Sequence, residues 1–295
     1  MRNFIKNNFI LYFTSFWNMF IIYSLLLIIP IISVVFLSTL CDINLDILLS
    51  VIYIICIIFY LLFTRINKDI NFTKFEYNKM NFFKLIFFMI LLVFTKTAIV
   101  DILTVPINYL IETFFDFTIL SNSGNITPED INLLSFLHIV IIAPIFEEII
   151  FRGFSLSFLK KFGNEFAIVL SAFTFGLIHL AFPQTLYAFI SGLIYGYIAI
   201  KYGLKYSIIF HSFNNFMAYI TYFWQTNLPP ITFTICCYIA LIITIFIFFK
   251  YYYNKIKHSD FLTPHYNIKQ YLFCLCEPFT IITFAMFIAL LFENV

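Results

Sequence analysis

Charge is what this chain has least of. Only 11% of its 295 residues are Asp, Glu, Lys or Arg, 62% are hydrophobic, and the mean hydropathy is +0.98. So few charges exclude an ordinary soluble domain, and so many apolar residues exclude disorder. Paired cysteines are also lacking. Cys41, Cys56, Cys236, Cys237, Cys274 and Cys276 form no Cys-x-x-Cys set. Zinc ligation by thiolates and a disulfide framework therefore lose support, and packing is the default role. The basic residues are spread among connecting segments with no concentrated patch, so nothing points to nucleic acid.

The chain does contain apolar stretches long enough to cross a hydrocarbon core of about 30 Å, which takes about 20 helical residues. Nine are expected: 16–38, 47–63, 82–111, 131–151, 166–182, 184–200, 206–226, 231–250 and 271–292. The first has no small-x-small cleavage site after it and reads as a retained anchor. Of the 17 Lys and Arg residues, all but Lys96 lie at the N-terminus or in alternate connections. The positive-inside rule then puts the N-terminus in the cytoplasm and the C-terminus outside. The expected fold is all-α, a polytopic transmembrane bundle of the plasma (inner) membrane type with a catalytic core of four helices. Residues 1–130 form N-terminal spans, 131–226 the core, and 227–295 peripheral C-terminal spans.

Chemistry concentrates in residues 131–226. Glu147 and Glu148 stand side by side after the run Ile131–Phe146, which has no charged residue. Carboxylates there are costly in a bilayer unless paired, hydrated or protonated. Arg152 follows Glu148 by four residues, on the same helical face. Two other apolar segments each add an imidazole, Phe175-x-x-x-His179 and His211-x-x-x-Asn215. Pro144 removes a backbone donor, and a kink that frees the Val140 carbonyl is expected beside the acidic pair. Phe154–Phe162 reads as a short helix at the cytoplasmic interface. Ala188-x-x-x-Gly192-x-x-x-Gly196 reads as a small-residue packing ridge. For Lys96 and Asp101, an internal ion pair or snorkelling is favoured over a substrate role.

Most known solutions to intramembrane hydrolysis have no counterpart here. His-Glu-x-x-His is missing, no Gly-Asp dipeptide occurs, and Phe189 stands where a rhomboid-type serine site would have glycine before Ser191-Gly192. The glutamate–histidine solution remains. Glu147-Glu148-x-x-x-Arg152, Phe175-x-x-x-His179 and His211-x-x-x-Asn215, in that order within apolar segments, resemble the CPBP family of type II CAAX prenyl endopeptidases and bacteriocin-processing or immunity proteins. The resemblance covers roughly residues 131–226.

That resemblance implies an intramembrane endopeptidase acting on a membrane-associated or lipidated protein, or on a leader or bacteriocin-like peptide. Glu147 would be the acid/base, since a buried carboxylate is driven toward a neutral pKa suited to that work. His179 would help it orient a water. His211 and Asn215, one turn apart, would donate to the oxyanion. Glu148 and Arg152 would be mainly a structural pair, and Phe175 would shape the pocket. Asn214 is expected to point elsewhere, and His138, His258 and His265 have no motif. No cofactor is preferred, although Glu147, His179 and His211 could make a three-ligand zinc site. Membrane lipids are the other expected partners. The rival readings are a non-catalytic immunity or peptide-binding protein and a proton-coupled transporter using Glu147, Lys96 and Asp101. One tension is geometric: along straight helices at 1.5 Å per residue, His179 lies about 20 Å from the cytoplasmic end and His211 about 8 Å.

Overall fold

The computed structural model describes residues 50–55, 58, 82–115, 131–160, 163–179 and 182–252. The expected spans 16–38 and 271–292, most of 47–63, both chain ends, His258 and His265 lie outside these residues. The described segments are helices and short connections with no strand among them, so the all-α expectation holds. Helix α1 is Phe82–Phe115, and Pro106 lies inside it without ending it. A second rod, α2, covers residues 133–159; α3 is Asn164–Leu177, α4 Phe182–Tyr202, α5 Leu204–Asn227 and α6 Pro230–Ile247. By length and composition Phe83–Phe114, Leu133–Ser155 and Pro230–Lys250 are able to cross a membrane. The protein is an integral membrane protein.

Local sequence explains where these helices start. Asn132 caps α2 by accepting the Ser135 backbone N–H at 2.9 Å, which satisfies one orphan donor of the first turn. Gly163 and Gly203 precede α3 and α5 with φ of 110° and 100°, a region that a β-carbon strongly disfavours. Pro183 and Pro230 occupy first turns, where a missing N–H costs nothing.

The rod α2 is the irregular element. It passes from Leu133–Leu137 through a π-helical turn at His138–Ile142, an α segment at Ala143–Glu148, a second π segment at Ile149–Ser155, and α again at Leu156–Leu159. Residues 154–160 continue α2 without a break and are not set apart as the interfacial helix expected at Phe154–Phe162, whose last two residues lie outside the described ones. Phe154, Leu156 and Leu159 are instead buried in the main core, with Phe166 and Ala167 of α3. The apolar face that suggested a lipid interface is covered by protein.

The expected span 166–182 is also corrected. Helix α3 has 14 residues and stops at Leu177, with Ile178 and His179 in a turn. At 1.5 Å per residue that is about 21 Å, short of the hydrocarbon core. The α4 ridge behaves as expected for packing: Gly176 lies against Thr185 and Phe189, Gly192 against Ala172, and Gly196 against Ile168. These contacts make α3 and α4 antiparallel and leave no room for larger side chains. They also bring the Gly163 and Gly203 turns, with Lys160, Lys201 and Lys205 beside them, to one end of the bundle. Helix α6 packs on α1 through Ala98, Phe233 and Cys237, which gives the buried Cys237 thiol the packing role expected of it.

Candidate active site

The second half of α2 carries the acidic pair, and its two carboxylates differ sharply. Glu148 is fully buried, whereas the Glu147 side chain keeps 18% of its accessibility. Three side chains converge on Glu148. Arg152 Nη1 lies 3.0 Å from Oε1, His211 Nδ1 lies 3.0 Å from the same oxygen, and Ser207 donates to Oε2. Arg152 also donates from Nη2 to the Gly192 carbonyl at 3.2 Å. Its guanidinium lies over the Phe175 ring at 4.5 Å and near Tyr195 at 5.5 Å. A β-carbon at residue 192 would come within 3.1 Å of Arg152 Nη2, so the small-residue ridge also makes room for the guanidinium.

His211 sits between the two acids. Its Nδ1 faces Glu148, and its Nε2 lies 3.6 Å from Glu147 Oε2. An ionised carboxylate only accepts hydrogen bonds, so Nδ1 carries a proton. Donation from Nε2 to a further oxygen then requires the imidazolium form. The ring is held by stacking on Tyr195 at 5.0 Å and by the edge of Phe175 at 5.6 Å.

His179 lies in the turn just past α3. Its Nδ1 bonds to the Phe175 carbonyl at 2.9 Å and its ring meets the Phe175 ring at 5.0 Å. A carbonyl accepts only, so Nδ1–H is the donor and Nε2 is the nitrogen left to accept. Phe175 therefore touches both histidines, and the depth difference along straight helices is closed. Folding His179 back one turn onto its own helix accounts for part of that closure.

Asn215 has a backbone partner that the helix pattern alone did not suggest. Its Nδ2 donates to the Ile139 carbonyl at 2.9 Å. Ala143 N–H reaches back five residues to His138, so in this π register the donor facing Ile139 would be residue 144, a proline. The carbonyl that Pro144 leaves open is thus that of Ile139, not the expected Val140, and Asn215 satisfies it. One hydrogen of the amide remains for another acceptor.

Asn214 does not point away, contrary to expectation. It is buried and donates from Nδ2 to Asn215 Oδ1 at 3.1 Å. Its own Oδ1 accepts from Lys96 and, at 3.0 Å, from the Tyr187 hydroxyl. Lys96 pairs with Ser191 and Asn214, and no Lys96–Asp101 ion pair occurs among the described residues. Five residues on one helix place the two side chains about 140° apart.

The structure therefore gathers Glu147, Glu148, Arg152, Phe175, His179 and His211 around one point, with Asn215 linking α5 to α2. Sequence reasoning missed Ser207, Tyr195 and Asn214. Ser207 had a usable signal, because Ser207, His211 and Asn215 repeat at four residues on one face of α5. Tyr195 had none. His138 lies away from this cluster and bonds to Ser50 at 2.9 Å. Among the described residues no three His, Cys, Asp or Glu side chains form a group able to hold a metal ion.

Residues 129–217 carry a domain that matches the family described as type II CAAX prenyl endopeptidase Rce1-like. That domain is consistent with the CPBP resemblance, and its span holds all three motifs. No curated protein and no solved structure matches the chain. An Rce1-like domain supports, in general terms, a CAAX-type intramembrane peptidase and a substrate located in the membrane.

Proposed function

We propose that the protein is an intramembrane endopeptidase in which Glu147 activates water and the sealed Glu148–Arg152 pair holds the machinery. The observation that carries this reading is the division between the two acids. Glu148 has Arg152, His211 and Ser207 as partners, while Glu147 is partly accessible and faces Nε2 of His211. A general base must reach both water and substrate.

In this reading a water lies between Glu147 and Nε2 of His179, which accepts one of its hydrogens. Glu147 takes the other proton as the water oxygen bonds to the scissile carbonyl carbon. The resulting oxyanion receives hydrogen bonds from the remaining Asn215 N–H and from imidazolium His211. Glu147 then passes the proton to the leaving nitrogen as the C–N bond breaks. Arg152 and Ser207 keep Glu148 in place, and Glu148 in turn aims His211.

The substrate class is a peptide with a membrane-associated or lipidated C-terminus, prenylated peptides being the version that the Rce1-like domain favours. A leader or bacteriocin-like peptide is the other member of the class. The protein resides in a plasma-type membrane with its N-terminus and the Lys160–Lys161 and Lys201 connections in the cytoplasm. Cysteine labelling at position 160 tests this orientation: Lys160→Cys reacts only after permeabilisation, and labelling from outside overturns it.

The chemistry is tested on purified full-length protein with a farnesylated, internally quenched peptide ending in cysteine and three further residues. Wild type cleaves it, Glu147→Gln does not, and both bind it. Equal cleavage by the two proteins defeats the reading. Thorough chelation leaves a glutamate-activated water intact. Loss of activity with recovery on added zinc makes the site metal-dependent while leaving proteolysis standing.

A further inference from the structure

We propose that Lys96, on α1 and outside the three motifs, is a positioning residue that sets which way the Asn214–Asn215 amide pair faces. This inference rests on the proteolytic reading above. Lys96 is 1% exposed in the middle of an apolar helix. Burying an ammonium there is costly, and its polar partners are all neutral: the Ser191 hydroxyl at 2.9 Å, the Asn214 side-chain oxygen, and the face of Tyr187 at 3.9 Å. A methionine would fill the same space without the cost, so the charge requires another explanation.

Hydrogen-bond direction provides one. An asparagine amide has nearly the same shape in either flip, and only its partners decide which end is the acceptor. Lys96 can only donate. The Tyr187 hydroxyl adds a second donor to the same Asn214 oxygen at 3.0 Å. Ser191 spends its own hydrogen on the Tyr187 carbonyl at 2.7 Å, so it accepts from Lys96 and cannot reverse the pattern. With its oxygen fixed toward Lys96 and Tyr187, Asn214 presents Nδ2 to Asn215 Oδ1 at 3.1 Å. Asn215 must then present its own Nδ2 to the Ile139 carbonyl at 2.9 Å. Lys96 as an ammonium at one end, and the accepting Ile139 carbonyl at the other, thus agree in making Asn215 offer N–H, not C=O, at the site. A reversed Asn215 would place a carbonyl oxygen where the oxyanion develops.

Asn214→Asp separates this role from simple packing. The carboxylate matches the Lys96 charge but has no N–H for Asn215, so Asn215 turns its amide to donate, gives up its bond to the Ile139 carbonyl and presents oxygen to the site. Full-length wild type, Asn214→Asp, Asn215→Ala, Lys96→Met and Glu147→Gln are compared on the farnesylated quenched peptide, with thermal unfolding measured on each. Asn214→Asp should keep KM near wild type while kcat falls about 10²-fold, the loss expected for one oxyanion donor. It should unfold at a temperature no lower than Asn215→Ala, since both changes leave the Ile139 carbonyl unpaired. Lys96→Met should lose kcat to a similar degree. Should Lys96→Met fail to fold, Asn214→Asp alone decides. A kcat for Asn214→Asp within twofold of wild type, with Glu147→Gln inactive, overturns the Lys96 role and leaves the protease standing. Unfolding of Asn214→Asp at a lower temperature than Asn215→Ala also overturns it, because the kcat loss is then a packing effect. Wild type cleaving no faster than Glu147→Gln overturns the proteolytic reading and this inference with it.

Discussion

The Leu133–Ser155 stretch and helix α6 are both apolar enough to cross a membrane, yet they use their surfaces differently. In the most apolar window of Leu133–Ser155, 44% of residues are buried within the protein, against 17% for Pro230–Lys250. Ile239, Ile242 and Phe246 of α6 are exposed to the surroundings. Lipid is as good a solvent for such side chains as protein is, so apolar character alone cannot hold helices together there. Where packing is tight, small residues and polar groups supply it: Gly176, Gly192 and Gly196 along α3–α4, and the Glu148–Arg152–His211–Ser207 cluster. Helix α6 is joined to α1 more simply, by Thr95 bonded to Thr244 at 2.7 Å and by the aromatic group of Phe94, Trp224 and Phe233.

The contrast is sharpest at the acids, where the largest effects are expected. Glu147→Gln should lower the cleavage rate about 10²–10⁴-fold while leaving folded yield near normal, as judged by kinetics and size-exclusion chromatography. Arg152→Ala should do the reverse, with stability as the main loss. Removing one partner of a buried ion pair costs about 3–5 kcal/mol, which thermal unfolding in detergent can measure. If Arg152→Ala folds normally while Glu147→Gln does not, the structural and catalytic roles are reversed. Asn215→Ala should show both losses at smaller size. It leaves the Ile139 carbonyl unpaired, which costs about 1–3 kcal/mol, and removes one oxyanion donor, a rate loss of about 10²–10³-fold.

Gly192→Ala probes the ridge itself. The added carbon would sit 2.9 Å from the Ala172 backbone and 3.1 Å from Arg152 Nη2. Overpacking of this kind costs about 1–3 kcal/mol. The opposite end of the comparison is Ile242→Leu, at a site 67% exposed on α6, where the change should stay within about 0.5 kcal/mol. A large destabilisation there would mean that α6 packs against protein, and the distinction between a polar-held core and a lipid-facing flank would fail.

Helical class and membrane character were legible from composition and the length of the apolar stretches, and the motif residues from their ordered resemblance to the CPBP family. Glu148 and Arg152 at four residues, and His211 and Asn215 at four, share faces because the helix repeats every 3.6 residues. The α4 ridge was legible for the same reason. Errors fell where the repeat itself changes or where the partner is distant. The π turn at His138–Ile142 moved the open carbonyl from Val140 to Ile139. The apolar face of Phe154–Leu159 was compatible with lipid or protein, and only the arrival of α3 decided between them.

What the sequence alone determined is therefore local: which segments are helices, which face each side chain shares with its near neighbours, and that charges so deep in apolar segments need partners. Tertiary structure decided which partners those are. Glu148 is sealed because Ser207 and His211 arrive from α5, 59 and 63 residues away. Lys96 serves the Asn214–Asn215 pair because α1 packs where Asn214, 118 residues further on, can meet it. Helical periodicity acts over a few residues and can be read along the chain. Hydrogen bonds between helices depend on approach distances of about 3 Å, which are set only once all the helices have packed.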